Sequence, residues 1–497
     1  MLIYKIHPAI GVGRVGDSPD KFFVGPETLG HPGLEIHDDD TETSIAEGKY
    51  KEAGQIKRQA ARFRIFEYDQ DAAGTQTLKR EITSGQATIT WKVDLVNRKA
   101  ALDHTPPHNG IDPRVAARSR NATILGAARA RLVIHDPRNQ TISGKKQSGV
   151  RFDQGEFLGK KVFLGELRTD KDGRLLVLGG RGISASSDGT LTINFANNDN
   201  WHDDVADGPV TAKIKFADSA ERDVEASAWV TIAPPDFAPQ IGGVVTLYEV
   251  AFQAAIDQGF RKADVQPSFR RHIFPMILRA ANLRFVGDQN DPATGMNFWG
   301  GLTRDPVALS SNAAADMPLR TALVEALTSP TIQSVLTDAV IPAFLRTYLA
   351  QYEAGTFLSD LATPVPPPSQ PEALDRAALE ACVGLNFFPG IEASQTMRKK
   401  IYAEGFRFDP ALPEVTAGFL TEVMACPWQA DFKECEGEWW PSQRPDMVMT
   451  NPNLIPGSRA VWAHGIGTRD DMVANWATLP FVIPTVSAAG ETVFVRQ

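Results

Sequence analysis

Apolar and polar residues alternate, imperfectly, over the first half of the chain. ATITWKVDLVN (87–97), LLVLGG (175–180) and EASAWVTI (225–232) show β-branched and aromatic enrichment with partial alternation, which predicts strands. ARLVIHD (130–136) reads the same way. Lys171-Asp172-Gly173, Ser187-Asp188-Gly189 and Asp207-Gly208-Pro209 supply turn chemistry between them. After APPDFAP (233–239) the period lengthens. VVTLYEVAFQAAIDQGF (244–260), PSFRRHIFPMILRAANL (267–283) and LRTALVEALTSPTIQSVL (319–336) carry helical spacing, with Gly259 as a stop and Pro267 as a start. The prolines of ATPVPPPSQP (362–371) favour an extended, solvated linker. The expected class is α+β: a β-rich N-terminal domain over 1–235, a helical region over 236–361, the linker, and a C-terminal unit over 372–497.

Composition narrows the function. Among 497 residues, 42% are hydrophobic and 22% charged, ordinary for a globular protein able to build a core. A net charge of −9 gives no general affinity for nucleic acid or anionic membrane. No apolar run approaches the ~20 residues that span a bilayer. MLIYKIHPAIGVGRVGDSP lacks the parts of a signal peptide, and three cysteines do not make a disulfide framework. Both predict a cytoplasmic protein, with non-classical export left open. The sequons at Asn121 and Asn139 carry little weight without a secretory signal.

Several motifs carry less than they promise. Gly11-Val-Gly-Arg-Val-Gly16 matches the dinucleotide fingerprint, but Asp17-Ser18-Pro19 follows at once and no helix pattern opens there. A glycine-rich turn at a sheet edge is the preferred reading. NNDNWHDDVADGP (197–209) gathers Asp199, His202, Asp203, Asp204 and Asp207, yet it lacks the glycine and terminal Glu of a calcium loop. It reads as a capped surface loop, and no metal site is expected. His7, His104 and His108 stand isolated and read as structural.

One stretch is different. CPWQADFKECEGEWWPSQRPD (426–446) holds two of the three cysteines and three of the nine tryptophans. Pro427 suits the first turn of a helix, and Asp431 and Cys435, four apart, would share one face of it. Gly437 allows a reversal that would bring Trp439 and Trp440 back toward Cys435, with Pro441 fixing the exit. The bland alternative is core packing, since a buried thiol behaves as a small hydrophobe.

The chain resembles the L-lysine ε-oxidase and glycine oxidase family of cysteine tryptophylquinone enzymes. The likeness runs along nearly its whole length, through IHPAIGVGRVGDSP (6–19), IKRQAARFRIFEY (56–68), LGELRTDKDGRLLVLGG (164–180), NNDNWHDDVADGPVTA (197–212), PPDFAP (234–239), FFPGIEAS (387–394) and PWQADFKEC…WWPSQRPD (427–446). It implies that Cys435 forms a thioether to Trp440, whose indole becomes an o-quinone, and that Asp431 is the carboxylate needed during cofactor formation. Trp440 is preferred over Trp439 because it directly precedes Pro441, and Cys426 stands outside the pattern as a structural residue. Asp431 is also the leading candidate base, and His464 in VWAHGIG is a candidate positioning or substrate group. The implied activity is oxidative deamination of an amino acid or primary amine by oxygen, releasing ammonia and hydrogen peroxide. Implied partners are a flavoprotein that matures the cofactor and further copies of the chain. The chain departs from the family in its shorter length and in the four residues between Cys435 and Trp440. A scaffold that keeps the fold without the cofactor, and a quinone-dependent dehydrogenase, are the competing readings.

Overall fold

The computed structural model describes residues 1–45, 49–103, 119–288, 305–328, 341–364, 366–384, 391–434, 442–453 and 459–497. Its N-terminal part is organised by β1 (Leu2–His7), β2 (Ile10–Arg14), β3 (Arg58–Gln70), β4 (Ala87–Val93), β5 (Leu175–Gly179), β6 (Asp207–Phe216) and β7 (Ala228–Ala233). Among the described residues these join shorter strands in one 17-stranded sheet. β3 is its axis, pairing antiparallel with β1 and β5, while β2 runs parallel to β7 and β6 pairs antiparallel with β4 and β7.

Alternation along β3 explains the motif around it. Ala61, Phe63 and Ile65 point into the main core. Arg58, Arg62 and Arg64, on the other face, are buried against Glu166, Glu27 and Glu42. Paired charges of this kind can be buried because each guanidinium faces a carboxylate within hydrogen-bond reach.

The glycines of the rejected fingerprint prove to lie mostly within a strand, not in a turn at a sheet edge. β2 is buried throughout, between β7 and β3. A Cβ at Gly11 would lie 2.4 Å from Phe63 Cζ, at Gly13 2.7 Å from Ile232 Cδ1, and at Gly16 2.6 Å from the Ile56 carbonyl oxygen. Close approach of neighbours, not phosphate binding, accounts for all three. Asp207-Gly208-Pro209 is likewise strand rather than turn, because β6 begins at Asp207. There a Cβ on Gly208 would sit 1.7 Å from the Asp94 carbonyl oxygen. Gly208→Ala should therefore lower stability by at least about 1–3 kcal/mol, the usual cost of overpacking, read as a lower urea midpoint.

Helices follow as the pattern predicts. α1 (Leu247–Asp257) starts at Thr246, whose hydroxyl and the Glu249 carboxylate form a reciprocal capping box. α2 (Phe274–Asn282) follows a π-helical turn at Phe269–Ile273. α3 (Met317–Thr328) covers the first part of the third expected helix, and the rest of that expectation lies outside the described residues. α4 (Ala343–Glu353) and α5 (Gln370–Glu380) complete this part, α5 starting inside the proline-rich stretch and packing on β2. ARLVIHD differs from expectation: its first three residues end a 3₁₀ turn, Gly126–Leu132, and only Ile134–His135 is strand. The C-terminal part holds α6 (Trp428–Glu434), β8 (Met447–Met449), β9 (Arg459–Val461), α7 (Arg469–Asn475), β10 (Val482–Val486) and β11 (Thr492–Arg496), its strands ordered β9-β8-β11-β10. One apolar core runs from Tyr4 to Phe494 and takes residues from all of these parts. No described helix is long and apolar enough to cross a membrane.

Candidate active site

Short helices are marginal by themselves, so α6, with seven residues, depends on its anchors. Pro427 precedes it, as the sequence predicts, and the carboxylate of Asp203 accepts the Trp428 N–H at 3.2 Å, where a capping side chain would stand. Asp203 is held in turn by Lys99, whose Nζ lies 2.7 Å from Oδ2, and both side chains are wholly buried. Lys99 also donates to the Ala425 carbonyl at 2.9 Å, and Arg120 donates to those of Glu422 and Met424. Asn198 reaches the Cys426 carbonyl at 3.0 Å. On the helix itself, Gln429 accepts from the Ser184 hydroxyl at 2.6 Å and donates to the Gly182 carbonyl at 3.0 Å. Trp428 packs edge-on against Phe432 and Trp476. Asp431 is 2% exposed and sits in the first turn, where the positive end of the helix dipole favours a carboxylate.

The acidic segment 197–209 is therefore not a surface loop. Asn197, Asn198, His202, Asp203, Asp204 and Asp207 are all buried, and all but His202 bond to residues distant in the chain. Asp204 accepts from the Arg181 and Ile183 N–H groups, and burial pushes its carboxyl up to about 7. Asp207 takes four donors: Thr421 N–H and hydroxyl, Leu420 N–H and the Trp229 indole. Burial still pushes it up to about 6. Asp199 accepts the Asn121 N–H at 2.6 Å. Asn121 is itself buried, its amide donating to the Ala100 carbonyl, so this sequon is closed to glycosylation. Among the described residues no group of three or more His, Cys, Asp or Glu could hold a metal.

Cys435, Trp439, Trp440 and Pro441 lie outside the described residues, and so do His104 and His108. The flanks of that stretch are tied to each other. Arg444 donates from Nε to the Phe432 carbonyl, pairs with Asp446 at 2.7 Å, and lies over the Trp462 ring at 5.3 Å. Phe237, in PPDFAP, donates its N–H to the Gln443 carbonyl at 3.0 Å and packs against Trp462 and Phe432. Two donors here are buried without a partner among the described residues: the Gln443 side-chain amide and the Trp428 indole N–H. Quinone oxygens would accept from such donors, so the residues that flank 435–441 fit a cofactor made there. His464 is exposed in the turn after Trp462, and no hydrogen bond among the described residues links it to Asp431.

Cys426 is a free thiol, buried, its Sγ donating to the Trp201 carbonyl, and burial pushes its pKa up to about 12. An inert, packed thiol fits the structural role expected for it. His7 is structural too, but not isolated. Its Nδ1 lies 2.9 Å from Asp375, and its Nε2 accepts from Arg407 at 3.0 Å, so it ties β1 to α5. Sequence reasoning missed Lys99, Arg120, Asp203, Gln429 and Arg444 as the frame of this site. The available signal was the quoted 197–212 motif itself, which carries Trp201 within the otherwise polar run Asn197–Asp204.

Comparisons with known proteins bear on the family and the fold. The family model described as L-Lysine epsilon oxidase N-terminal matches residues 7–232, and that of the L-lysine epsilon oxidase C-terminal domain matches residues 327–454. The L-lysine 6-oxidase of Marinomonas mediterranea is 25% identical, over 96% of this chain and 87% of that protein. A crystal structure of the Schiff base intermediate of L-Lys ε-oxidase from the same organism, with L-Lys, superposes with a TM-score of 0.77 at 22% identity, covering 99% of this chain and 94% of the other. A second structure of that oxidase gives a TM-score of 0.78, again at 22% identity, with 99% and 94% covered. The expected α+β architecture is thus the fold of the lysine oxidase.

Proposed function

Because the chain belongs to the L-lysine ε-oxidase family, matched by both of its domain models, we propose that it is an amino-acid oxidase. It deaminates an amino acid or primary amine with a cysteine tryptophylquinone built from Cys435 and Trp440, passing electrons to oxygen and releasing ammonia and hydrogen peroxide. The observation that carries this reading is the anchoring of α6. Two buried charges, Lys99 and Asp203, fix a seven-residue helix whose one accessible consequence is the position of Asp431 and of the chain that follows.

Cys435 and Trp440 would hold the group covalently. Once formed, it supplies a two-electron acceptor with an electrophilic carbonyl, which no standard side chain offers. Asp431 is assigned the carboxylate role in forming it, and the removal of a proton from the substrate's α-carbon. Gln443 and Trp428, whose N–H groups have no partner among the described residues, would donate to its oxygens. Arg444 keeps Ser442–Asp446 against Phe432, which excludes water from this side. His464, exposed, stands as a group at the substrate's approach. A flavoprotein that matures the cofactor and a homo-oligomeric state complete the proposal.

The test is mass spectrometry of the tryptic peptides spanning Cys435 and Trp440, from protein made together with its maturation flavoprotein. A crosslinked, oxygenated species, a visible absorption band and peroxide release with an amino acid under air are expected. Free Cys435 with unmodified Trp440 would leave a scaffold; turnover without peroxide would make the enzyme a dehydrogenase. Asp431→Ala should cut kcat by ~100-fold or more, the usual range for a lost general base. A variant that keeps full quinone absorbance and normal turnover would remove Asp431 from both roles.

A further inference from the structure

Asp203 and Asp204 are neighbours in the chain, yet only Asp203 bonds to α6, through the Trp428 N–H. Asp204 is buried and turns instead to the segment that leaves β5. Its Oδ2 accepts the N–H groups of Arg181 at 2.6 Å and Ile183 at 3.0 Å. Its Oδ1 has no hydrogen-bond partner among the described residues. A Cβ at Gly180 would lie 2.4 Å from Asp204 Cγ, so the backbone is pressed directly on this carboxyl.

The residues beside those two donors grip α6. The Gly182 carbonyl accepts from Gln429 Nε2 at 3.0 Å, and the Ser184 hydroxyl donates to Gln429 Oε1 at 2.6 Å. Gln429 is wholly buried, so water offers no substitute for either bond. On the other side of the segment, a Cβ at Gly182 would sit 2.1 Å from Trp476 Cζ2, and Trp476 packs on Trp428 at 5.3 Å. A continuous route therefore runs from Asp204 through 181–184 to Gln429, two residues before Asp431. The two acids act differently on the helix. Asp203 fixes its first residue, whereas Gln429, projecting sideways and held at both polar atoms, fixes rotation about the axis. Side-chain tips lie about 5–6 Å from a helix axis, so a turn of about 10° moves one by about 1 Å. A misplacement of ~1 Å costs on the order of 100-fold in rate.

We propose that Asp204 is a positioning residue for the oxidase: by holding 181–184 against Gln429 it sets the rotation of α6, and with it the reach of Asp431. This role rests on the oxidase reading. No proton moves in it, and all it asks of position 204 is an oxygen that accepts two N–H groups. Burial pushes the carboxyl up to about 7, so the uncharged acid is already populated near neutrality. Asparagine has the shape of that acid and keeps the accepting oxygen; alanine has neither.

Hydrogen exchange of the purified holoenzyme, read by mass spectrometry, tests the clamp without needing turnover. In Asp204→Ala the amides of 428–434 should exchange at least ~10-fold faster, the range for lost hydrogen bonds to a charged group, and in Asp204→Asn they should exchange as in the wild type. In kinetics, with rates divided by the quinone's visible absorbance, Asp204→Ala should lower kcat by ~10- to 100-fold with KM unchanged, and Asp204→Asn should restore it. Ser184→Ala removes one bond of the same route from a half-buried position, at little cost to the fold, and should lower kcat ~3-fold or more. Ile89→Ala, a cavity variant in the core of β4, loses stability away from the clamp and should keep its kcat. Unchanged exchange over 428–434 in Asp204→Ala, an asparagine variant as impaired as alanine, full kcat in Ser184→Ala, or an equal loss in Ile89→Ala overturns the proposal. The expected exchange pattern in a protein that oxidises no amine would instead overturn the oxidase reading and leave the clamp standing.

Discussion

Cys435→Ser and Trp440→Phe are each expected to abolish amine oxidation to the limit of detection, while the protein stays folded. The size of the effect follows from chemistry. Amine oxidation needs a two-electron acceptor, and the twenty side chains include none. A serine oxygen in place of the sulfur leaves no thioether, and a phenyl ring in place of the indole leaves nothing to become the quinone. Neither change removes any of the anchors of α6, which come from Asp203, Lys99, Arg120, Asn198 and Gln429. Controls make the test specific. Cys382 and Cys426 are free buried thiols, so Cys426→Ser should keep both the visible band and the peptide crosslink. Trp439→Phe should keep them too, because the proposal assigns the cofactor to the tryptophan that precedes Pro441. Peptide mass, visible absorbance and peroxide release on the four proteins separate the outcomes. Loss of the band in Trp439→Phe with retention in Trp440→Phe would move the cofactor by one residue. Full activity in Cys435→Ser would end the quinone reading altogether.

Local pattern carried a good part of this architecture. The short apolar run of LLVLGG gives β5, buried on both faces, and the longer period after APPDFAP gives α1, with its start marked by Thr246 and Glu249. Pro427 marks the start of α6 just as well. Misreadings share one cause. Asn197, Asp203, Asp204 and Asp207 are polar and close in sequence, so composition puts them in water. Their partners, however, come from far along the chain: Asn97 and Lys99 for Asp203, Thr421 and Leu420 for Asp207. A window of a dozen residues contains no trace of such pairings. Gly11, Gly13 and Gly208 fail for a related reason, since what demands a glycine there is Phe63, Ile232 or Asp94 across the sheet. The candidate cofactor residues were legible only through the family's motifs, whereas the frame around them, Arg444 and Gln443 included, required the fold.

The second large effect concerns that frame. Lys99→Met is expected to destabilise the protein by about 3–5 kcal/mol, the range for a buried ion pair broken on one side. Both partners are 0% exposed and 2.7 Å apart, so no water can take over from the lost ammonium. Asp203 would keep the Asn97 amide and the Trp428 N–H as donors, but a carboxylate with neutral donors alone remains an uncompensated charge. The Ala425 carbonyl, next to the start of α6, would lose its donor as well. Replacing both partners, Lys99→Met with Asp203→Leu, should recover part of the loss by removing the stranded charge. Recovery stays incomplete, because the Trp428 N–H then has no acceptor, a penalty of about 1–3 kcal/mol. A surface pair calibrates the measurement: Lys213 and Glu221 lie 3.3 Å apart but are about half exposed, so Lys213→Met should cost under about 1 kcal/mol. Urea titrations followed by circular dichroism give all three values. A Lys99→Met protein as stable as Lys213→Met would mean that α6 is held by the packing of Trp428 on Trp476 and of Phe432 on Phe237, and that the buried charges are spectators.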